Sequence, residues 1–123
     1  MTNLILIRLI ILFPILFVFN NTKAQELKKS YYPNSTILKD TGKLDPNNYP
    51  IGEWKYYRVN GNLDYVINWD TNYIKKFYTT GELKEEGTFI PDTGVHIGKW
   101  ITYYKNGKVK TQETFDTSGI KKD

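Results

Sequence analysis

The fold is decided by the stretch Ile51-Gly52-Glu53-Trp54-Lys55-Tyr56-Tyr57-Arg58-Val59-Asn60-Gly61-Asn62-Leu63. It returns 46 residues later as Ile97-Gly98-Lys99-Trp100-Ile101-Thr102-Tyr103-Tyr104-Lys105-Asn106-Gly107-Lys108-Val109. Aligned without a gap, residues 51–76 and 97–122 share 11 identities in 26 positions, far more than unrelated segments share. A fixed period of this kind predicts stacked supersecondary units that bury a core only together.

Three glycine-containing turns divide this region into hairpins. Asn60-Gly61, Thr80-Gly81 and Asn106-Gly107 each lie between runs rich in β-branched and aromatic residues. Asn-Gly in that setting is a strong hairpin signal, because a type I′ turn needs positive φ at both central residues. The sequence therefore predicts an all-β fold of consecutive antiparallel β-hairpin repeats, which form a single elongated or curved sheet after an N-terminal signal peptide.

Two-residue turns would also fix which side chains lie opposite each other, since side chains alternate between the two faces of a strand. This rule puts the tryptophans on one apolar face, together with Tyr104, Val109 and Phe115. The predicted cross-strand pairs are Arg58 with Leu63, Tyr56 with Tyr65, Trp54 with Ile67, Tyr78 with Leu83, Lys76 with Glu85, Tyr104 with Val109, and Thr102 with Thr111.

A Gly-x-Trp step opens each long unit, at Gly52-Glu53-Trp54 and at Gly98-Lys99-Trp100. Glycine at this point predicts a bend or bulge, or the close approach of a neighbouring backbone or ring. Each tryptophan is expected to be buried over the adjoining hairpin. The residues with a predicted structural role in the repeat are Gly52, Trp54, Gly61, Gly81, Gly98, Trp100 and Gly107.

The N-terminal segment has the pattern of a secretory signal peptide. Residues 4–19 are apolar except Arg8, and Thr22-Lys23-Ala24 places small residues before a cleavage site. The wholly apolar run Leu9–Phe19 is short for a membrane anchor, which needs about 20 residues. We expect residues 1–24 to be removed, with an uncleaved anchor as the alternative. The mature protein is then periplasmic or extracellular and has no membrane span.

The expected mature chain has the size of one domain. Residues 25–50 form a polar N-terminal segment in which a degenerate hairpin is predicted around Thr41-Gly42, and residues 51–123 carry the repeats. The chain has no cysteine, so packing of its many aromatic residues must stabilise the fold. Basic and acidic residues are interspersed, which argues against a nucleic-acid partner.

Candidate catalytic and metal-ligating residues are sparse. His96 is the only histidine and has no cysteine to join it, whereas a metal site needs several ligands at suitable spacing. A position in a loop or an edge strand is expected for it. Glu85 and Glu86 are adjacent and point to opposite faces of a strand, so Glu85 is expected to pair with Lys76. We therefore predict a protein that is not an enzyme and uses no cofactor and no metal.

The candidate binding face is aromatic. Tyr57, Tyr73, Phe77 and Tyr103 are predicted on the face opposite the tryptophans. Exposed tyrosine suits contacts with peptides or stacking on sugar rings, because it offers rigid apolar area with a polar tip. The alternative is that these residues only fill strand positions, where aromatic side chains are favoured.

The pattern Gly-x-Trp-x-x-Tyr-x-x-Asn-Gly-x-Leu, with further Tyr/Phe-x-x-x-Gly steps over about residues 51–120, resembles the bacterial MORN-repeat variant. That family often occurs in exported proteins of Bacteroidetes-type bacteria. The resemblance implies side-by-side hairpins, no cofactor, and a scaffold for interactions. We expect a non-enzymatic exported module that binds another protein or a cell-envelope component. A glycan- or peptidoglycan-binding module that uses the tyrosines is the first alternative. An antitoxin or immunity-type protein is the second, because some relatives carry antitoxin-like labels.

Overall fold

The computed structural model describes residues 25–123, which form eight β-strands. The predicted signal peptide lies outside the described residues. The prediction of an all-β fold is confirmed. The strands are β1 (Lys28–Tyr31), β2 (Leu38–Leu44), β3 (Pro50–Tyr57), β4 (Leu63–Asn68), β5 (Tyr73–Phe77), β6 (Leu83–Phe89), β7 (His96–Tyr103) and β8 (Val109–Phe115).

All eight strands form one antiparallel sheet in chain order from β1 to β8. Each strand contacts only the strands before and after it in the sequence, so the sheet is open and is a single layer within residues 25–123. The β1–β2, β3–β4, β5–β6 and β7–β8 turns share one end of the sheet, which we call the Asn-Gly end. The remaining turns lie at the opposite end.

The three glycine-containing turns are type I turns followed by a bulge, so the type I′ prediction is wrong. In the first, Gly61 N–H donates to Arg58 O (2.9 Å) and Arg58 N–H donates to Asn62 O (2.8 Å). Positive φ falls on Gly61 (87°) and not on Asn60. The same two bonds close Tyr78–Glu82 and Tyr104–Lys108. This geometry is the usual three-residue hairpin loop with glycine in the left-handed region.

Because of the bulge, the strand pairs next to the turns differ from those predicted for a two-residue turn, whereas the pairs further from the turns agree with the prediction. Next to the turns the observed pairs are Tyr57 with Leu63, Phe77 with Leu83, and Tyr103 with Val109. These replace the predicted pairs of Arg58 with Leu63, Tyr78 with Leu83, and Tyr104 with Val109. Tyr104 and Val109 are also about half exposed, not part of the apolar face.

One extra loop residue and one extra bulge residue cancel, so the register further from the turns matches that of a two-residue loop. The predicted pairs there are confirmed: Tyr56 with Tyr65, Trp54 with Ile67, Lys76 with Glu85, and Thr102 with Thr111.

The hairpin predicted around Thr41-Gly42 is wrong, because Leu38–Leu44 is one continuous strand. Gly42 is buried in its middle and lies under the indole of Trp54. Gly87 in β6 lies in the same way under the indole of Trp100. A Cβ atom at either glycine would collide with the ring, so glycine is required there by close packing.

Each tryptophan reaches its glycine through a bulge of the strand. Gly52 (φ 61°) and Gly98 (φ 64°) are left-handed, which confirms the predicted bend. Around each bend the three residues Gly-x-Trp lie opposite one glycine of the preceding strand. The close approach of a ring therefore falls on Gly42 and Gly87, which the sequence reasoning did not identify.

The apolar core lies on one face of the sheet, the Trp face. Trp54 and Trp100 are only 6% and 4% exposed, which confirms their predicted burial. Ile67, Phe89 and Trp100 form the buried cluster. The partly buried residues packed against that cluster are Tyr56, Tyr65, Trp69, Ile74 and Phe115.

Candidate functional site

The predicted binding residues lie on the face opposite the tryptophans. Neighbours along a strand point to opposite faces of the sheet. Each predicted binding residue is next to a residue of the Trp face: Tyr57 follows Tyr56, Phe77 follows Lys76, Tyr103 follows Thr102, and Tyr73 precedes Ile74. We call Tyr57, Tyr73, Phe77 and Tyr103 the Tyr face. All four side chains are half-buried, so each presents part of its ring to solvent.

Glu86 connects two of these tyrosines. The Tyr73 hydroxyl donates to Glu86 Oε1 at 3.0 Å. Burial, and then the bond to Glu86, raise the pKa of Tyr73 to about 12. Burial also raises the pKa of Tyr103, and the Glu86 carboxylate adds to this effect. Both hydroxyls therefore stay protonated at neutral pH. Because the single hydroxyl hydrogen of Tyr73 is already bonded to Glu86, that oxygen can only accept a further hydrogen bond from a ligand.

A shallow polar groove lies beside Tyr73, with a volume of about 250 Å³. Its walls combine one aromatic ring with a carboxylate, an amide, a hydroxyl and an ammonium group. This is the mixture of stacking area and hydrogen-bonding groups that a polar ligand such as a sugar needs. The lining residues are Glu53, Val66, Asn68, Thr71, Tyr73 and Lys75.

The other three Tyr-face residues lie at the Asn-Gly end, each as the last residue of its strand. Their carbonyl oxygens accept hydrogen bonds from the preceding turn on that end. Tyr32 Oη donates to Tyr57 O at 2.5 Å, Arg58 Nη2 donates to Phe77 O at 3.0 Å, and Tyr78 Oη donates to Tyr103 O at 2.7 Å.

These bonds form a ladder of side chain to backbone contacts along the Asn-Gly end. Each joins a turn to the strand after the next one, so they hold neighbouring hairpins together. The sequence reasoning missed this ladder. Its signal is the long polar side chain that opens each turn, three residues before Gly61 and Gly81.

The Trp face contains a second groove, of about 320 Å³, with mainly apolar walls. His96 lines it as the first residue of the internal strand β7, not in a loop or an edge strand. Its ring stacks on Trp100 at 3.4 Å between centroids and meets Phe115 edge-on at 5.7 Å. Burial lowers the pKa of His96, which favours a neutral, packed imidazole.

No group of three or more metal-ligating side chains lies together in the described part of the chain. Glu85 pairs with Lys76, with Nζ and Oε1 2.6 Å apart, which confirms the predicted contact. Residues 25–123 contain no helix that is long and apolar enough to cross a membrane.

Fold and surface together define a single-sheet protein of β-hairpin repeats. Residues 73–90 and 97–117 match the family model of the MORN repeat variant. The first match covers the β5–β6 hairpin and the second covers β7–β8, so each match is one hairpin. No curated protein and no solved structure matches the chain significantly.

Proposed function

We propose that the protein is an exported, non-enzymatic module that binds another protein or a cell-envelope component through its Tyr face. The observation that carries this proposal is the row of half-exposed aromatic rings on an open sheet, opposite the face that holds the core. Because the core does not use these rings, they remain available for a partner. Interfaces are enriched in tyrosine for the same physical reason.

The match to the MORN repeat variant supports a repeat module with a role in binding. The ladder at the Asn-Gly end supports it further, because it fixes the backbone beneath Tyr57, Phe77 and Tyr103. A rigid surface loses little entropy when it binds. Export rests on the signal-like pattern of residues 1–24.

Capture from the envelope fraction of the producing cells tests binding. Wild-type protein and the Tyr73→Ala/Tyr103→Ala variant are used as baits. The control is Tyr49→Ala/Val59→Ala, which removes exposed apolar area from two turns and leaves all four Tyr-face residues in place. We expect one partner to be retained by wild type and control and lost by the Tyr-face variant, with all three baits folded. Equal retention by all three would refute the role of this face.

Export is tested by N-terminal sequencing of the native protein, which we expect to begin at Gln25. A protein that begins at Met1 and sediments with membranes would refute cleavage.

A glycan- or peptidoglycan-binding module is the second candidate, and the polar groove beside Tyr73 favours it. Sedimentation with insoluble polysaccharide or with purified peptidoglycan separates the two candidates. A glycan ligand predicts cosedimentation that Tyr73→Ala abolishes. If wild type stays in the supernatant with every polysaccharide, the glycan-binding candidate is refuted and binding to another protein remains the proposal.

A further inference from the structure

The Asn-Gly end carries an uneven charge. The β5–β6 and β7–β8 hairpins place four exposed lysines there: Lys84, Lys105, Lys108 and Lys110. We call them, with Tyr78 and Tyr104, the lysine–tyrosine patch. None of these four lysines is in an ion pair among residues 25–123. At the β3–β4 hairpin, by contrast, Arg58 is paired with Asp64 at 2.7 Å.

Two of the lysines share one aromatic ring. Lys84 Nζ lies 5.8 Å and Lys105 Nζ 5.6 Å from the centroid of the Tyr78 ring. Lys110 Nζ lies 5.8 Å from the centroid of the Tyr104 ring. Lys84 and Lys105 thus bring two positive charges to within 5.8 Å of one ring centroid, and like charges gathered in this way repel. An anion placed among them relieves that repulsion.

The patch surrounds a groove of about 280 Å³, which Tyr78, Lys84, Tyr103 and Lys110 help to line. Glu85 also lines the groove, but its carboxylate is paired with Lys76. Glu82 is the acidic residue of the two turns, and its carboxylate accepts a bond from the Thr80 hydroxyl. Four lysines against Glu82 leave the patch with a positive charge.

From this arrangement we propose that the lysine–tyrosine patch binds an acidic segment of a partner protein. The inference rests on the proposed binding function and names the chemistry of the partner. Lys84 in β6 and Lys110 in β8 are two strands apart, or about 10 Å at the backbone. Their flexible stems reach the carboxylates of an extended peptide, in which alternate side chains are about 7 Å apart.

Two features favour a peptide over a glycan or a phosphate-bearing ligand. Ammonium groups lie close to both tyrosine rings, two of them at Tyr78, so a sugar would have to displace an ammonium group to stack on the Tyr78 ring. The patch contains no arginine, whose planar fork is the usual bidentate partner of phosphate. Tyr104 opens its turn as Tyr78 does, and its ring is half exposed, so a partner can reach it.

Fluorescence anisotropy with a labelled ten-residue peptide of alternating Glu and Ser tests the proposal at low salt. The patch variant is Lys84→Gln/Lys105→Gln/Lys110→Gln. The control, Lys29→Gln/Lys39→Gln/Lys99→Gln, removes the same charge from exposed lysines elsewhere. We expect the patch variant to bind about tenfold more weakly than wild type. The control is expected to stay within about twofold, and added salt is expected to weaken wild-type binding.

Equal losses in the two variants, or no binding by folded wild type, would overturn the proposal. Stronger patch-dependent binding of a polyuronate, of anionic vesicles or of single-stranded DNA would overturn the choice of a peptide. The capture experiment separates this inference from the proposed function. A partner captured equally by wild type and the patch variant contradicts the inference alone. Peptide binding without any captured partner contradicts the function alone.

Discussion

The first four strands and the last four are two versions of one unit. In β1–β4, Trp54 covers Gly42 and its indole N–H donates to Lys43 O at 2.8 Å. In β5–β8, Trp100 covers Gly87 and donates to Thr88 O at 2.7 Å. The repeat seen in the sequence from Ile51 onward is thus the second half of a longer unit, which begins at β1.

The two units share the tryptophan, the glycine beneath it and the indole hydrogen bond, and they differ most at the cross-strand pairs between the tryptophan and the turn. The first stacks Tyr56 on Tyr65, with ring centroids 4.5 Å apart. The second has Thr102 and Thr111 at the equivalent positions, joined by a hydroxyl–hydroxyl hydrogen bond. The architecture therefore depends on the glycines, the tryptophans and the turns, and tolerates exchange of the cross-strand pairs.

The surroundings of the two tryptophans differ as well. Trp100 belongs to the buried cluster and is covered by the His96 ring. The residue equivalent to His96 in the first unit is Pro50, and Trp54 is not part of that cluster. We infer that the second unit is the more stable one.

Truncation of the tryptophans gives the largest expected effect. Trp100→Ala is expected to lower the free energy of unfolding by roughly 3–5 kcal/mol, and Trp54→Ala by about 3 kcal/mol, because large core truncations leave cavities. Urea unfolding followed by circular dichroism measures both. Equal losses, or a larger loss for Trp54→Ala, would contradict the inferred difference between the units.

The glycines beneath the tryptophans come next. Gly87→Ala and Gly42→Ala place a methyl group against an indole ring and are expected to cost roughly 1–3 kcal/mol each. The double variants Gly87→Ala/Trp100→Phe and Gly42→Ala/Trp54→Phe test the cause, since a smaller ring relieves the collision. Strictly additive losses in these cycles would show that the ring and the glycine do not interact.

The turns give a smaller effect. Gly107→Val is expected to cost about 1–2 kcal/mol, because a β-branched residue is strained at positive φ. The turn Asp45–Tyr49 has the same two backbone bonds but Asn48 at the left-handed position (φ 66°). Asn48→Gly is therefore expected to raise the thermal midpoint slightly. A Gly107→Val protein that melts like wild type would refute the turn geometry.

The smallest effect at neutral pH concerns Tyr73, which has Leu27 as its counterpart in the first unit. Its pKa is raised to about 12 in the folded state, so its contribution to stability is complete below about pH 10. That contribution is lost as the pH rises through about 12. Tyr73→Phe is expected to make alkaline unfolding less steep, and Glu86→Gln to lower the tyrosinate midpoint seen by absorbance. An unchanged midpoint in Glu86→Gln would refute the bond.

Most of the fold was accessible from the sequence, because hairpins depend on local signals. Asn60-Gly61 and the alternation around it gave the correct pairing of Trp54 with Ile67. A gapless alignment does not reveal the part of the first unit upstream of Ile51, because the Tyr32–Ile37 turn is one residue longer than the Tyr78–Glu82 turn.

The sequence predicts which strand residues pair better than it predicts which side chains pack over a neighbouring strand. A glycine in the middle of a strand looks the same as one in a turn until the ring above it is known, so the sequence around Gly42 predicts a hairpin where the structure has a continuous strand. The four Tyr-face residues were predicted on the face that they occupy, but their role in binding remains a prediction. The ladder at the Asn-Gly end has a local signal in the long polar side chain that opens each turn. Its acceptors are carbonyl groups of the strand after the next one, and the sequence does not indicate which carbonyl each side chain reaches.

Because every strand of residues 25–123 contacts only its sequence neighbours, this part of the chain has a low contact order for an all-β protein. Folding then requires no long loop to close before strands pair, so it is expected to be fast and to spread from hairpin to hairpin. The buried cluster of Ile67, Phe89 and Trp100 spans β4 to β7 and makes the middle of the sheet the natural nucleus. Amide hydrogen exchange is accordingly expected to be slowest in β4 to β7 and faster toward β1 and β8, because the sheet opens locally from its two edge strands.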